Sequence, residues 1–224
     1  IGNDPSTPRQ AQIVASGTLP TGDAVIVNSD GTVSVVSETS YTDAKGPLTS
    51  IPSNYVGFTA TTYDENAGKV VIAYRGGSGF SFGVAVVGTV SDTSISFGTP
   101  VVFNSASTEF TAATYDVASQ KVVIFYEDAG NSEHGTAVVG TVSGTSISFG
   151  SEVVFENSRI EWVSATYDAN AQKVVVAYQN IGDSSYGKAA VGTVSGTSIS
   201  FGTPVTFNAE NTQFPSIAYD SGAQ

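Results

Sequence analysis

Recurring carboxylates are the first residues in this chain whose types and spacing could do chemistry. An aspartate follows a tyrosine at four places, and a lysine stands five residues after each of the first three. An aspartate at the start of a turn accepts a hydrogen bond from its own backbone two residues on. Because the pattern recurs, we interpret these aspartates as structural rather than catalytic. They are Asp64, Asp116, Asp168 and Asp220.

One loop carries other groups with catalytic potential. His134 is the only histidine, so any serine-histidine-aspartate triad would have to use it. It stands in a polar loop without a nucleophile-elbow sequence, which favours a solvated histidine. Glu127, Asp128 and Glu133 could supply the two carboxylates of a glycoside hydrolase. The first copy of the same loop lacks these carboxylates, so we expect solvated surface and no enzymatic activity.

The same loop is the best candidate for a metal site. Asp128, Asn131 and Glu133 offer the clustered oxygen ligands that Ca²⁺ prefers, although their spacing matches no EF-hand. The chain has no cysteine, which excludes thiolate metal sites and disulfides. We therefore expect no metal and no cofactor, and we keep these three residues as the calcium alternative.

These residues belong to an internal repeat that must position them. Tyrosines 63, 115, 167 and 219 lie 52 residues apart, and the phrase Ser-Ile-Ser-Phe-Gly follows the same step. Three full repeats cover residues 58–109, 110–161 and 162–213, and a partial repeat covers 214–224. A fixed period of this length is typical of propellers, solenoids and arrays.

Each repeat has the composition of four β-strands. In the second copy, residues 110–116, 121–126, 136–142 and 146–155 are rich in β-branched and aromatic residues and are separated by polar turns. Gly150 predicts a bulge or bend in the last of them. No stretch has a helical period of apolar residues. The sequence therefore predicts an all-β fold of tandem 52-residue four-stranded antiparallel meanders.

These meanders resemble the blades of a β-propeller in length, and a linear array of β modules is the alternative architecture. A propeller ring needs about four to eight blades, so we expect the missing blades beyond Gln224 or in another chain. Alternation within the strands predicts a set of buried residues that recurs 52 and 104 positions later. In the first repeat the set is Val70, Ile72, Tyr74, Ile95, Phe97 and Phe103.

Residues 1–57 lie outside the repeat, and we expect them to form an N-terminal arm, a β-hairpin and a linker that serve for attachment. The hairpin prediction rests on two valine-rich runs, 24–27 and 32–36, joined by Asn-Ser-Asp-Gly. Residues 58–224 form the second predicted domain, the β-repeat domain.

Charge and hydropathy exclude two classes of partner. The formal net charge is −12, which repels phosphate backbones, so we expect no nucleic-acid binding. No apolar run reaches the roughly 18 residues that a membrane-spanning helix requires, so we expect no membrane insertion.

Three phrases carry a family resemblance: Leu-Pro-Thr-Gly-Asp-Ala-Val at 19–25, Asn-Ser-Asp-Gly-Thr-Val at 28–33, and the repeated Val-Gly-Thr-Val-Ser-Gly-Thr-Ser-Ile-Ser-Phe-Gly. They resemble repeat proteins of marine bacteriophages, such as tail or head fibres, and of marine bacterial surfaces. The resemblance implies a non-enzymatic virion appendage that attaches to other virion proteins through residues 1–57. It also implies a homo-oligomer that binds a host surface glycan.

Two other functions stay open beside the virion appendage. One is a secreted bacterial adhesin or carbohydrate-binding propeller, located outside the cell or on its surface. The other is the glycoside hydrolase discussed above. The aspartate pattern is similar to the aspartate boxes of sialidase propellers, which are structural. The sialidase arginine triad has no counterpart, since no arginine recurs from copy to copy.

Variation between the copies predicts a recognition surface. The framework residues of the turns after the first and third strands are nearly invariant, namely Tyr-Asp with Lys and Val-Ser-Gly/Asp-Thr-Ser, whereas the loops 76–82, 128–134 and 180–186 differ. Scaffolds keep framework turns and vary the loops that meet partners, although relaxed surface drift gives the same pattern. In a meander the variable loops share one end of the sheet. The candidate binding residues there are Phe80, Phe82, His134, Arg159 and Tyr186.

Overall fold

The computed structural model describes residues 14–15, 25–29, 32–35, 56–76 and 81–222. The chain divides into two compact units, residues 1–44 and 45–224. The expected arm and linker, and Asp30 and Gly31 of the hairpin turn, lie outside the described residues.

The first unit contains a three-stranded sheet of β1 (Val14–Ala15), β2 (Val25–Val27) and β3 (Thr32–Val35). β2 and β3 pair antiparallel with Val27 opposite Val33, which confirms the predicted hairpin. β1 adds to β3 in parallel.

The second unit confirms the all-β prediction, since its described residues form strands and one short 3₁₀ turn at Ala129–Asn131. The strands form a thirteen-stranded sheet that does not close on itself. Within the part of the chain that the structure describes, no helix has the length and apolar character to cross a membrane. The strands are β4 (Val56–Asp64), β5 (Lys69–Gly76), β6 (Phe82–Ser91), β7 (Ser94–Phe97), β8 (Val101–Asp116), β9 (Lys121–Asp128), β10 (His134–Ser143), β11 (Ser146–Phe149), β12 (Val153–Asp168), β13 (Lys173–Asn180), β14 (Tyr186–Ser195), β15 (Ser198–Phe201) and β16 (Val205–Asn211).

Each repeat is a four-stranded antiparallel meander, here called a blade, whose fourth strand is broken. In blade 1, β6 pairs with β7 along one half and with the first residues of β8 along the other. The rest of β8 then pairs with β9 as the first strand of blade 2. β12 connects blades 2 and 3 in the same way. The long strands β8 and β12 therefore make the sheet continuous from blade to blade.

The break in the fourth strand falls at the glycine that the sequence singles out. In blade 2 the chain leaves β11 after Phe149, and Gly150 donates its N–H to the carbonyl of Val139 at 2.9 Å. A Cβ at Gly150 would collide with the backbone carbonyl of Thr197 in the next repeat. Gly98 stands against Thr145 in the same way. Glycine is required here because two repeats approach each other at the bend.

The blades stack face to face, which buries both faces of the middle blade. One face of blade 2, including Val122, Ile124 and Tyr126, packs on Val71 and Ala73 of blade 1. The residues that alternate with them in β9, such as Val123 and Phe125, pack on blade 3. The second strand of the middle blade is therefore buried on both faces.

The predicted core is confirmed for most of its members and wrong for one. Tyr74, Tyr126 and Tyr178 are fully buried, and the phenylalanines of the Ser-Ile-Ser-Phe-Gly phrase are half-buried. Phe103 and Phe155 are 7% and 6% exposed, but Phe207 at the same position in the third repeat is 55% exposed. Phe207 is exposed because no following blade covers that face of blade 3 among the described residues.

This difference gives a matched stability test. Phe155 contacts the rings of Tyr178, Phe125 and Phe201, so we expect Phe155→Ala to lower the free energy of unfolding by ~3–5 kcal/mol. Phe207→Ala removes the same atoms from the exposed position, so we expect a loss below ~1 kcal/mol. Urea unfolding followed by tryptophan fluorescence measures both. Equal losses for the two variants would contradict the stacking of the blades.

Candidate functional site

The variable loops lie at one end of the blades, as the meander topology requires. The loops β5–β6, β9–β10 and β13–β14 lie at this end. The first strand of each blade also begins here, namely β4 in blade 1, the second half of β8 in blade 2 and the second half of β12 in blade 3. We call it the loop end. The nearly invariant turns lie at the opposite end, here called the turn end, where Asp116 pairs with Lys121 and Ser143 with Ser146.

Three of the predicted binding residues occupy the same position in successive blades. Phe82, His134 and Tyr186 are the first residues of β6, β10 and β14, and all three are half-buried. They therefore lie in a line along the stack at the loop end. Phe80 lies outside the described residues.

Arg159 joins this line through the strand register. It stands opposite His134 where β12 pairs with β10. Its guanidinium is held by two carboxylates, with 2.8 Å from Nη2 to Glu161 Oε1 and 3.7 Å from Nε to Glu133 Oε2. The Arg159 side chain is still 46% exposed, so it can contact a ligand beside His134.

A row of stacked aromatic rings lies beside these residues, and our sequence interpretation missed it. The ring centroids of Phe58 and Phe110 lie 4.9 Å apart, those of Phe110 and Trp162 4.9 Å, and those of Trp162 and Phe214 4.0 Å. The signal was available, because an aromatic residue begins each copy of the repeat. We call these four residues the aromatic row.

The aromatic row sits on an unusual backbone. All four residues have a positive φ, between 46° and 52°, which bulky side chains rarely adopt. The register of the strand pairs shifts at the same place, for example between Glu109 and Ala112. Phe58, Phe110 and Trp162 therefore stand at bulges near the start of the first strand of each blade, and bulges of this kind re-aim a side chain.

One position beside the aromatic row carries a different chemical group in each blade. In blade 1 it is Arg75, which bonds Glu109 at 2.7 Å and lies 4.7 Å above the ring of Phe58. In blade 3 it is Gln179, whose Nε2 donates to Asn211 Oδ1 at 2.9 Å. In blade 2 it is Glu127. The same backbone site thus holds a cation, an amide and an acid.

Glu127 is buried in a negative environment. Its side chain is 2% exposed, and its Oε2 has no hydrogen-bond partner among the described residues. Its pKa is raised to about 8, mainly by desolvation; the charges of Glu109, Glu133 and Glu161 also raise it, while Arg159 lowers it. The Glu127 carboxyl is therefore mostly protonated at neutral pH.

Of the other members of the candidate carboxylate and calcium sets, Asp128 and Glu133 bond to other residues of the fold. Asp128 Oδ1 accepts from Asn104 Nδ2 and from the N–H of Gly130, both at 3.0 Å, and so caps the 3₁₀ turn. Glu133 faces Arg159 instead, and Asn131 is exposed in the turn. Among the residues that the structure describes, no three His, Asp or Glu side chains are grouped to hold a metal ion.

The recurring aspartates are structural, as predicted, with one difference in detail. Asp64 and Asp116 each accept a backbone N–H at 2.9 Å from three residues on, rather than two. Asp168 accepts from both positions. The neighbouring tyrosines link the blades, because the hydroxyls of Tyr115 and Tyr167 accept backbone N–H groups from the preceding turn.

Comparison of the chain with protein-family models finds no match, and comparison with curated proteins finds no significant match.

The raised pKa of Glu127 predicts a pH dependence of stability. Above pH 4.5 the unfolded carboxyl loses its proton, but the folded carboxyl keeps its proton up to about pH 8. Stability therefore falls as pH rises through this interval. Glu127→Gln keeps a neutral side chain at all these pH values, so we expect it to raise the free energy of unfolding near pH 8 by ~1–3 kcal/mol.

Urea unfolding between about pH 5 and pH 8 measures this effect. Glu210→Gln, at an exposed position, is the control that removes a carboxylate without changing a buried one. If Glu127→Gln and Glu210→Gln show the same pH dependence as the parent, Glu127 does not titrate with a raised pKa.

Proposed function

We propose that this chain is a non-enzymatic structural and receptor-binding appendage of a bacteriophage virion. In this proposal the stacked blades form a rigid scaffold, and their loop end binds a glycan on the host surface. The observation that carries it is the line of Phe82, His134 and Tyr186, with Arg159 beside it. These side chains differ in chemistry but occupy matching positions on a constant backbone.

The spacing of this line suits an extended ligand. Stacked sheets lie about 10 Å apart, so side chains at matching positions in three blades span about 20 Å. A chain of sugar rings covers such a distance, whereas a small metabolite does not. Aromatic rings and a histidine offer apolar faces with polar edges, which match the two kinds of surface on a sugar ring.

The charge of the site favours a ligand that is not strongly acidic. Glu109, Glu133 and Glu161 surround the loop end of blade 2, and the chain carries a net charge of −12. Arg75 and Arg159 are both paired with these carboxylates. A neutral glycan avoids the repulsion that a highly anionic polymer would meet.

The remaining parts of the proposal concern assembly. Residues 1–57 attach the chain to other virion proteins, and the appendage is a homo-oligomer located on the virion. A secreted bacterial adhesin is the alternative, since the same loop end would serve both. Detection of the protein by mass spectrometry in density-purified phage particles supports the virion proposal. Its presence only on bacterial surfaces would support the adhesin.

Binding at the loop end predicts a loss of adsorption on mutation. We expect the combined variant Phe82→Ala, His134→Ala and Tyr186→Ala to lose at least ~10-fold in affinity for host cells or for an array of neutral glycans. The reason is that all three contacts along the ligand are removed together. Surface plasmon resonance or a cell-adsorption assay measures the loss.

The matched control is Val117→Ser in the turn end, where Val117 is 46% exposed. It alters the surface of the same blade at the opposite end, so adsorption should stay unchanged. Circular dichroism confirms that each variant is folded. A folded triple variant that adsorbs like the parent would leave a purely structural appendage.

A further inference from the structure

The face of blade 3 that points away from blade 2 is an apolar surface with no blade against it among the described residues. We call the face of each blade that points toward the next repeat its outgoing face. Val87 and Val139 on the outgoing faces of blades 1 and 2 are fully buried, but Val191 at the same position of blade 3 is 48% exposed. Val205 and Phe207 on this face are 67% and 55% exposed. Apolar surface grouped in this way marks an interaction site.

The outgoing face of blade 3 has the same residues as the outgoing face of blade 1. The two faces match at six of six positions, since Val71, Ala73, Ala85, Val87, Val101 and Phe103 correspond to Val175, Ala177, Ala189, Val191, Val205 and Phe207. On blade 1 these residues are packed against blade 2. Blade 2 covers them with Val122, Ile124, Tyr126, Val138 and Ile147.

The first residues of a fourth repeat already lie against blade 3. Residues 214–222 belong to the partial fourth repeat, and Phe214 stacks on Trp162 as Phe110 stacks on Phe58. The N–H of Ile217 donates to Ser164 Oγ at 3.3 Å. Pro215, Ser216 and Ile217 form one wall of a groove of about 460 Å³, and Ala177, Ala189 and Phe207 form the rest.

We propose that this groove and the outgoing face of blade 3 bind one further blade of the same repeat. The partner is a four-stranded antiparallel sheet. On one face of its second strand, three alternate positions hold a valine, then an isoleucine or a valine, then a tyrosine, as Val122, Ile124 and Tyr126 do in β9. A tyrosine fits because the floor of the groove is made of alanine. On blade 1 the matching floor residues Ala73 and Ala85 belong to the cluster that buries Tyr126.

The test supplies the partner blade by extending the full chain. Residues 117–161, which form most of blade 2, are copied after Asp220 in place of the last four residues. In the unextended chain we expect Phe207→Ser to leave the urea midpoint unchanged, because the ring is exposed. In the extended chain the same substitution should lower the midpoint as much as Phe155→Ser does.

Two measurements accompany the unfolding data. Binding of the dye ANS, which reports exposed apolar surface, should fall on extension. Val90→Ser, at a residue of β6 that is 57% exposed, is the control whose midpoint change should be the same in both chains. Unchanged ANS binding, together with a neutral Phe207→Ser in the extended chain, would overturn the proposal.

Two further outcomes also decide the proposal. A second extension, copied from residues 169–213, guards against a poorly folding fusion, and failure of both extensions to protect Phe207 counts against the proposal. Sedimentation of the unextended chain tests a second copy as the occupant. Self-association would replace the proposal if two results are found together: the unextended chain forms a dimer that Phe207→Ser dissociates, and the extended chain still forms that dimer.

Discussion

The whole repeat unit depends on strands that are apolar on both faces. In β9, Val122, Ile124 and Tyr126 point one way and Val123 and Phe125 point the other, and all five are fully buried. Burying a side chain of this size contributes roughly 1.5–3 kcal/mol. A single meander has no second layer of its own to cover either face. A blade with such a strand must therefore pack between two others, as blade 2 does, and face-to-face stacking follows from the composition of one strand.

Stacking explains why the two ends of the blades behave differently. At the turn end, the hydroxyls of Tyr115 and Tyr167 accept backbone N–H groups from the turn of the preceding blade, so the recurring tyrosine and the backbone path of the turn are fixed by an inter-blade contact. At the loop end, the position shared by Arg75, Glu127 and Gln179 tolerates three kinds of side chain. The scaffold thus fixes where the loop residues lie and leaves their chemistry free to vary, which is the arrangement that a binding surface requires.

Local sequence was sufficient to predict the strands, the turns and the hairpin, because alternation and turn chemistry act over a few residues. The bend at Gly150 was also predicted. The close approach of two repeats at this bend could not be predicted, because the carbonyl that requires glycine belongs to Thr197 in the next repeat. The fusion of the fourth strand of one blade with the first strand of the next, as in β8, escaped prediction for the same reason: it depends on contacts between repeats.

The candidate site shows the same division. The line of Phe82, His134 and Tyr186 could be predicted, because equal spacing in a repeat places equal positions together. The burial of Glu127 could not, since it depends on how the blades and the aromatic row pack. The exposure of Phe207 was mispredicted because alternation identifies a core face but does not reveal whether a partner covers it.

The stacking of blades is tested most directly by a distance between two repeats. The chain has no cysteine, so spin labels can be attached at Glu65→Cys and Ala169→Cys, which are exposed and occupy matching turn positions in blades 1 and 3. Two stacked interfaces place these positions about 20 Å apart. Double electron–electron resonance should give a narrow distribution near that distance. A broad distribution, or one centred well beyond ~40 Å, would show that the repeats are independent modules that do not pack on one another, and it would contradict the stacking of the blades.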